Sequence, residues 1–240
     1  TGSTQPEKPL PQTVYCLSID LVGSTEKGLC LHSWEADKFN LALVEQIQPH
    51  LKELRLDHAV VKFTGDGWLV MSPTAASQLC CLALIFREAF RQEMAKLSKL
   101  PGDKIPRIRA ALCSGRDREV NTPRGQRDYV GDSVRRAVSA SALCKDGEIL
   151  VSTAVREWIL RDFEVEQRNV SAERPPPKKW EEDIALHILT GLKPDLEGGG
   201  TAPAEFVYTL GKIGKRAEAV AAVVSLAERF ELLPDTRPIE

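Results

Sequence analysis

Two apolar runs that each stop on an aspartate constrain this chain more than any other feature. Val14-Tyr15-Cys16-Leu17-Ser18-Ile19 ends at Asp20 and passes at once into Leu21-Val22-Gly23-Ser24-Thr25. Forty-six residues after Asp20, a second run, Ala59-Val60-Val61-Lys62-Phe63-Thr64, closes on Gly65-Asp66-Gly67 and resumes as Trp68-Leu69-Val70-Met71. Apolar runs of this length bounded by turn residues read as strands. A carboxylate where a buried strand ends is costly to desolvate if nothing pairs with it. Two of them converging on hard cations would remove that cost. An isolated aspartate at such a place is ordinarily a cap or turn residue. Taken together, with glycines beside both, Asp20 and Asp66 predict a metal site.

The rest of the chain falls into place around these strands. After a Pro-rich leader over 1–12, expected to be disordered, a first strand runs over about 13–20. A helix follows at about 33–54, with Phe39, Leu43, Val44, Ile47 and Leu51 on one stripe. Strands near 58–64 and 68–72 form a hairpin about the Thr64-Gly65-Asp66-Gly67 turn. A long helix occupies 74–98, and a strand over 105–113 ends at Ser114-Gly115. This βαββαβ order predicts an α+β, ferredoxin-like core, a sheet with helices packed on one face. A polar loop (116–127), a helix at 132–144, a strand at 148–152, a helix at 153–160 and a strand at 163–168 come next. Pro175-Pro176-Pro177 and Gly198-Gly199-Gly200 bracket a segment with one amphipathic piece. A last strand at 205–210 and an Ala-rich helix at 213–231 complete the pattern. No internal repeat or change of composition appears, so one domain over 13–210 is expected, with a C-terminal helix and tail over 211–240.

Composition excludes several classes. In a chain of 240 residues, 42% apolar content suffices for a real core. A net charge of −2 gives no general surface for polyanions, so nucleic acid is not an expected partner. No run approaches the roughly 20 apolar residues that span a bilayer, and no signal peptide is visible. The six cysteines show no CxxC spacing and mostly sit inside apolar runs, which predicts reduced, buried thiols and a cytoplasmic setting. Zinc is not expected with four scattered histidines.

Four segments resemble, in order, blocks of the class III nucleotide cyclase catalytic domain. They are Ser18-Ile19-Asp20-Leu21-Val22-Gly23-Ser24-Thr25, Lys62-Phe63-Thr64-Gly65-Asp66-Gly67, Arg109-Ala110-Ala111-Leu112-Cys113-Ser114-Gly115 and Asp128-Tyr129-Val130-Gly131-Asp132-Ser133-Val134. Gly147-Glu148-Ile149-Leu150-Val151-Ser152 and Phe206-Val207-Tyr208-Thr209-Leu210 match two softer blocks. Each block alone is weak; six in order and spacing form a specific signal. The resemblance implies conversion of a nucleoside triphosphate to a 3′,5′-cyclic nucleotide and pyrophosphate, in sites shared by a head-to-tail homodimer. It implies two Mg2+ or Mn2+ ions per site, held by Asp20, Asp66 and the backbone carbonyl of Leu21. One ion acidifies the 3′-hydroxyl and the other neutralises the triphosphate tail. Backbone amides from Val22 through Gly23 and Ser24 to Thr25 would cradle phosphate oxygens, and Arg109 matches a phosphate-contacting arginine. Alone, Arg109 would read as a solvated strand residue, Lys62 as an edge gatekeeper, and Arg135 and Arg136 as a solvated helix face.

The pattern departs from the family in informative places. Lys62 and Asp128 stand at the base-reading positions, in the combination associated with adenine. After Gly131, the family's ribose-orienting asparagine is replaced by Arg135. Four residues on, its transition-state arginine is replaced by Ser139. Positions four apart share a helix face, so Arg135 is the candidate to supply the missing charge, with Arg136 behind it. An arginine in the asparagine's place also fills volume beside the ribose and favours a smaller base. Cyclase domains with irregular base-reading residues are similar to the bacterial anti-phage pyrimidine cyclases (Pycsar cyclases), which make cyclic UMP or cyclic CMP in antiviral defence. An adenylate cyclase, or a degenerate homologue that binds nucleotide without chemistry, are the competing readings. A diguanylate cyclase or polymerase palm fits less well, since the Thr64–Gly67 turn offers one acid. The family's late-loop lysine has three candidates, Lys178, Lys179 and Lys193.

Overall fold

The computed structural model describes residues 9–22, 41, 44–45, 47–52, 54–97, 107–168 and 185–192. Its centre is β1 (Gln12–Leu21), whose residues from Val14 to Ile19 are all buried. A strand buried on both faces needs a neighbour on each edge and cover on each side. β1 pairs antiparallel with β3 (Gly67–Ser72) on one edge and with β4 (Ile108–Asn121) on the other. β2 (Val60–Phe63) lies beyond β3, antiparallel to it. The order β2-β3-β1-β4 is that of the expected ferredoxin-like core. On the far side of β4 the sheet continues through β6 (Ile149–Ser152), β8 (Leu186–Leu192) and β7 (Phe163–Arg168), while β5 (Arg127–Gly131) pairs with the outer part of β4. β6 runs parallel to β4; the other pairings are antiparallel.

Period-two alternation along β1 divides the core into two layers. Tyr15, Leu17, Ile19 and Leu21 face α1 (helical over 47–52), α2 (Ala76–Leu97) and α4 (Thr153–Ile159), packing against Ile47, Leu79, Phe86, Phe90 and Val155. Val14 and Cys16 face the other way, with Met71, Cys113, Tyr129 and the Ala137 and Ala140 faces of α3 (Asp132–Ser141). The expectation of helices on one face therefore holds for the βαββαβ unit and fails for the whole sheet, because α3 covers the second face.

Other expectations shift in register. β1 begins at Gln12, inside the segment read as leader. The strand expected to end at Ser114-Gly115 runs on to Asn121, and the polar loop expected over 116–127 is largely a hairpin arm in which Asp117 pairs with Gly131 and Asn121 with Arg127. Arg116 and Arg118 point outward while Asp117 points inward, so the alternation is present but written in charged residues. α3 ends at Ser141 rather than at 144. β8 lies within the segment bracketed by Pro and Gly runs. The expected strand at 205–210 and the helix and tail over 211–240 lie outside the described residues. Among the described residues, no helix is long and apolar enough to cross a membrane.

Candidate active site

The second face of the sheet, the one α3 covers, carries four of the residues singled out by sequence. Alternation puts Asp20 on the side of Val14 and Cys16, Arg109 on the side of Ala111 and Cys113, and Lys62 on the side of Val60. Asp128 projects from β5 toward Lys62.

At the β1 end, backbone geometry brings the two acidic turns together. Asp20 is in register with Gly67, and the Leu21 amide donates to the carbonyl of Asp66 at 3.0 Å. The Val22 amide donates to the carbonyl of Arg107 at 2.8 Å, so the chain leaves the sheet held from both sides. The turn between β2 and β3 is tight, with the Thr64 amide donating to the Gly67 carbonyl at 3.0 Å and Gly65 at a φ of 101°. At Gly67 a side chain is excluded: an added Cβ would lie 2.1 Å from the Ile19 carbonyl oxygen. That close approach seats Asp66 against the end of β1.

Electrostatically, Asp20 is met by Arg109, its register partner on β4. Nε and an Nη of the guanidinium donate to Oδ2 of Asp20 at 2.8 and 2.6 Å. Both donors converge on one oxygen, so Oδ1 takes no part in the pairing. A second ion pair joins Lys62 Nζ to Asp128 Oδ2 at 2.5 Å. Asp128 is buried, and its Oδ1 accepts the Tyr129 amide at 2.7 Å. Arg127 donates to the His58 carbonyl and ties the same arm to the start of β2. No ion pair links the Asp20–Arg109 pair to the Lys62–Asp128 pair among the described residues.

Arg135 stands apart from both. Its side chain is 60% exposed and pairs with Asp132 at 2.7 Å, on the side of α3 turned away from the sheet. Arg136, half-buried, donates to the Ser114 carbonyl at 3.3 Å and so braces α3 against β4. Gly23, Ser24 and Thr25 lie outside the described residues, as do Lys178, Lys179 and Lys193.

Sequence reasoning missed one acid here. Asp117, assigned to a polar loop, is fully buried on β4 and accepts from the Ser133 amide at 2.9 Å and from the Ser133 hydroxyl. A carboxylate among arginines gives no apolar signal, but its i, i+2 spacing after Gly115 was available. The thiols on this face are inert: burial pushes Cys16 up and Cys113 up to about 12. All five described cysteines are free and buried, as expected.

The donor set suits hard divalent cations. Two carboxylates at adjoining strand ends, with backbone carbonyls beside them, provide oxygen alone, and Mg2+ is commonly bound through one or two carboxylates plus substrate phosphates. No group of three or more His, Cys, Asp or Glu side chains is placed to hold a metal among the described residues. The site's remaining ligands would therefore come from substrate and water.

Solved structures that superpose on this chain include nucleotide cyclases. The adenylyl cyclase CyaB from P. aeruginosa superposes with a TM-score of 0.61 at 17% identity, covering 79% of this chain and 100% of that one. The fold is that of class III nucleotide cyclase catalytic domains. The monomeric guanylyl cyclase domain of the RhoGC fusion protein from the aquatic fungus Blastocladiella emersonii gives 0.59 at 17% identity, covering 78% and 100%. An adenylate/guanylate cyclase/hydrolase from Silicibacter pomeroyi gives 0.57 at 20%, covering 75% and 97%. No protein-family model matches the chain, and no curated protein matches its sequence.

Proposed function

We propose that this chain is a class III nucleotide cyclase that converts a nucleoside triphosphate to its 3′,5′-cyclic monophosphate and pyrophosphate. The observation that carries the reading is the Asp20–Asp66 corner, closed by the Leu21 amide on the Asp66 carbonyl at 3.0 Å. In it, Asp20, Asp66 and the Leu21 carbonyl would hold two Mg2+ or Mn2+ ions. Bound there, the ions supply acidification of the ribose 3′-hydroxyl and neutralisation of the triphosphate. The chain's own groups do the positioning. Amides from Val22 to Thr25 cradle the phosphate oxygens, and Arg109, fixed on Asp20, keeps a positive charge beside them. The 3′-oxygen attacks the α-phosphorus in line as pyrophosphate leaves, a step that needs alignment and charge stabilisation more than covalent help.

Lys62 and Asp128 read the base. Arg135 stabilises the pentavalent phosphorus, and its outward direction on α3 fits service in a second copy of the chain. The active form is then a head-to-tail homodimer, with Asp20 and Asp66 of one protomer facing Lys62, Asp128 and Arg135 of the other. Mixing an Asp66→Ala chain with an Arg135→Ala chain should restore about one working site per heterodimer. Absence of rescue would point to a site built within one subunit.

The substrate we favour is a pyrimidine, UTP or CTP, and the product a second messenger of antiviral defence. Arg135 in the place of the usual asparagine supports this. The adenylate cyclase reading is favoured by one observation, the direct contact of Lys62 with Asp128. The test is Mn2+-dependent pyrophosphate release from each of the four ribonucleoside triphosphates. Release from UTP or CTP supports the pyrimidine reading, release from ATP the alternative, and binding without release a catalytically degenerate domain.

A further inference from the structure

The geometry points to Asp117 as a positioning residue that sets nucleotide selectivity by locking the junction between β5 and α3. This rests on the cyclase reading only in assuming that Asp128 contacts the base.

The junction has no ordinary cap. α3 starts at Asp132 after Gly131, whose missing side chain leaves the first-turn amides without a local acceptor. Asp117 supplies one from another strand. Its carboxylate takes the Ser133 amide on Oδ1 and the Ser133 hydroxyl on Oδ2, while the positive end of the helix stabilises its charge. The fit leaves no slack: a Cβ at position 131 would lie 2.4 Å from Asp117 Oδ1 and 2.6 Å from the Arg116 carbonyl oxygen. Asp117 has no exposed surface, and losing such an acceptor would strand a buried amide and a buried hydroxyl.

The lock sits between two functional positions. Asp128 is three residues before Gly131, and Arg135 is two residues after Ser133. Asp128 reaches Lys62 across the face of the sheet, so the height of β5 over β2 sets where the base-reading pair stands. If Asp117 lets go, the β5 end and the start of α3 move as a unit and Asp128 shifts with them. A shift of an ångström at a hydrogen-bonding pair relaxes discrimination without needing to unfold the arm.

The experiment compares the full-length wild type with Asp117→Asn, Asp117→Ala and Ser133→Ala. Asparagine keeps an acceptor for the Ser133 amide, alanine removes both, and Ser133→Ala removes only the hydroxyl. Equilibrium binding of the four 3′-deoxynucleoside triphosphates, which lack the attacking hydroxyl and cannot cyclise, in Mn2+ gives an affinity ratio between best and worst base. That ratio is independent of the folded fraction, which a merely structural role would change. Asp117→Ala should lower it by about tenfold, Ser133→Ala by less, and Asp117→Asn should stay near wild type. Should Asp117→Ala fail to fold, Ser133→Ala carries the test alone. Hydrogen exchange at the Ser133 amide should be slow in the wild type and faster in Asp117→Ala. Wild-type ratios in both Asp117→Ala and Ser133→Ala, or fast exchange at Ser133 in the wild type, overturn the proposal. Normal selectivity among these analogues, with no cyclic product when the wild type is given the ribonucleoside triphosphates themselves, would instead sink the cyclase reading.

Discussion

The site is assembled from two regions that are held in different ways. At the β1 corner, Asp20 and Asp66 are placed by main-chain bonds: ladder pairing to β3 and β4, the Leu21 and Val22 amides on neighbouring carbonyls, and Gly67 pressed onto Ile19. On the β5–α3 arm, placement depends on side chains: Lys62 on Asp128, Arg127 on the His58 carbonyl, Asp117 on Ser133. Ladder bonds survive a side-chain exchange, whereas a bridge does not. The corner should therefore lose chemistry without losing structure, and the arm should lose geometry when its bridges are cut.

The sharpest way to test that contrast is Asp20→Asn. It keeps every ladder bond and a neutral partner for Arg109, and turnover should fall by about three orders of magnitude or more. Melting temperature should change little, as calorimetry on the same sample would show. Arg135→Ala comes next: on the proposal that Arg135 acts only in the transition state, kcat should drop by about two to three orders while triphosphate binding stays nearly intact. An unchanged rate would remove Arg135 from the mechanism. Gly67→Ala attacks the corner through its backbone instead. A methyl forced onto the Ile19 carbonyl should destabilise the fold by about 1–3 kcal/mol, visible as a lower denaturant midpoint.

The smallest effect concerns pH. Burial raises the thiols of Cys81, Cys113 and Cys144 to about 12, above the ordinary value of 9.0. The unfolded chain then loses these protons first. Their contribution to stability is fully present below about pH 9 and declines as pH rises from there toward 12. Denaturation curves at pH 7.5 and 10 should differ in that direction, and a thiol reagent should label these cysteines only after unfolding.

The corner was legible in the sequence because its code is short-range. An apolar run, an acid and a glycine turn say where a strand ends, and β1, β2, β3, α2 and β7 lie close to where that pattern puts them. The arm was not, because its strands carry charge on both faces. Arg116-Asp117-Arg118-Glu119 reads as solvent-exposed until α3 is known to bury Asp117. β8 was hidden by its flanking Pro and Gly runs, and 17 residues separate it from β7, its antiparallel partner. The sequence singled out Lys62 and Asp128 each by its position; that the two touch was not foreseen.

The most direct measurement is the mass of the product formed from equimolar ATP, GTP, CTP and UTP with Mn2+, run beside Asp20→Asn. The account predicts a 3′,5′-cyclic pyrimidine nucleotide and pyrophosphate from the wild type and neither from the variant. No cyclic product from the wild type, or the same yield from both proteins, would contradict it.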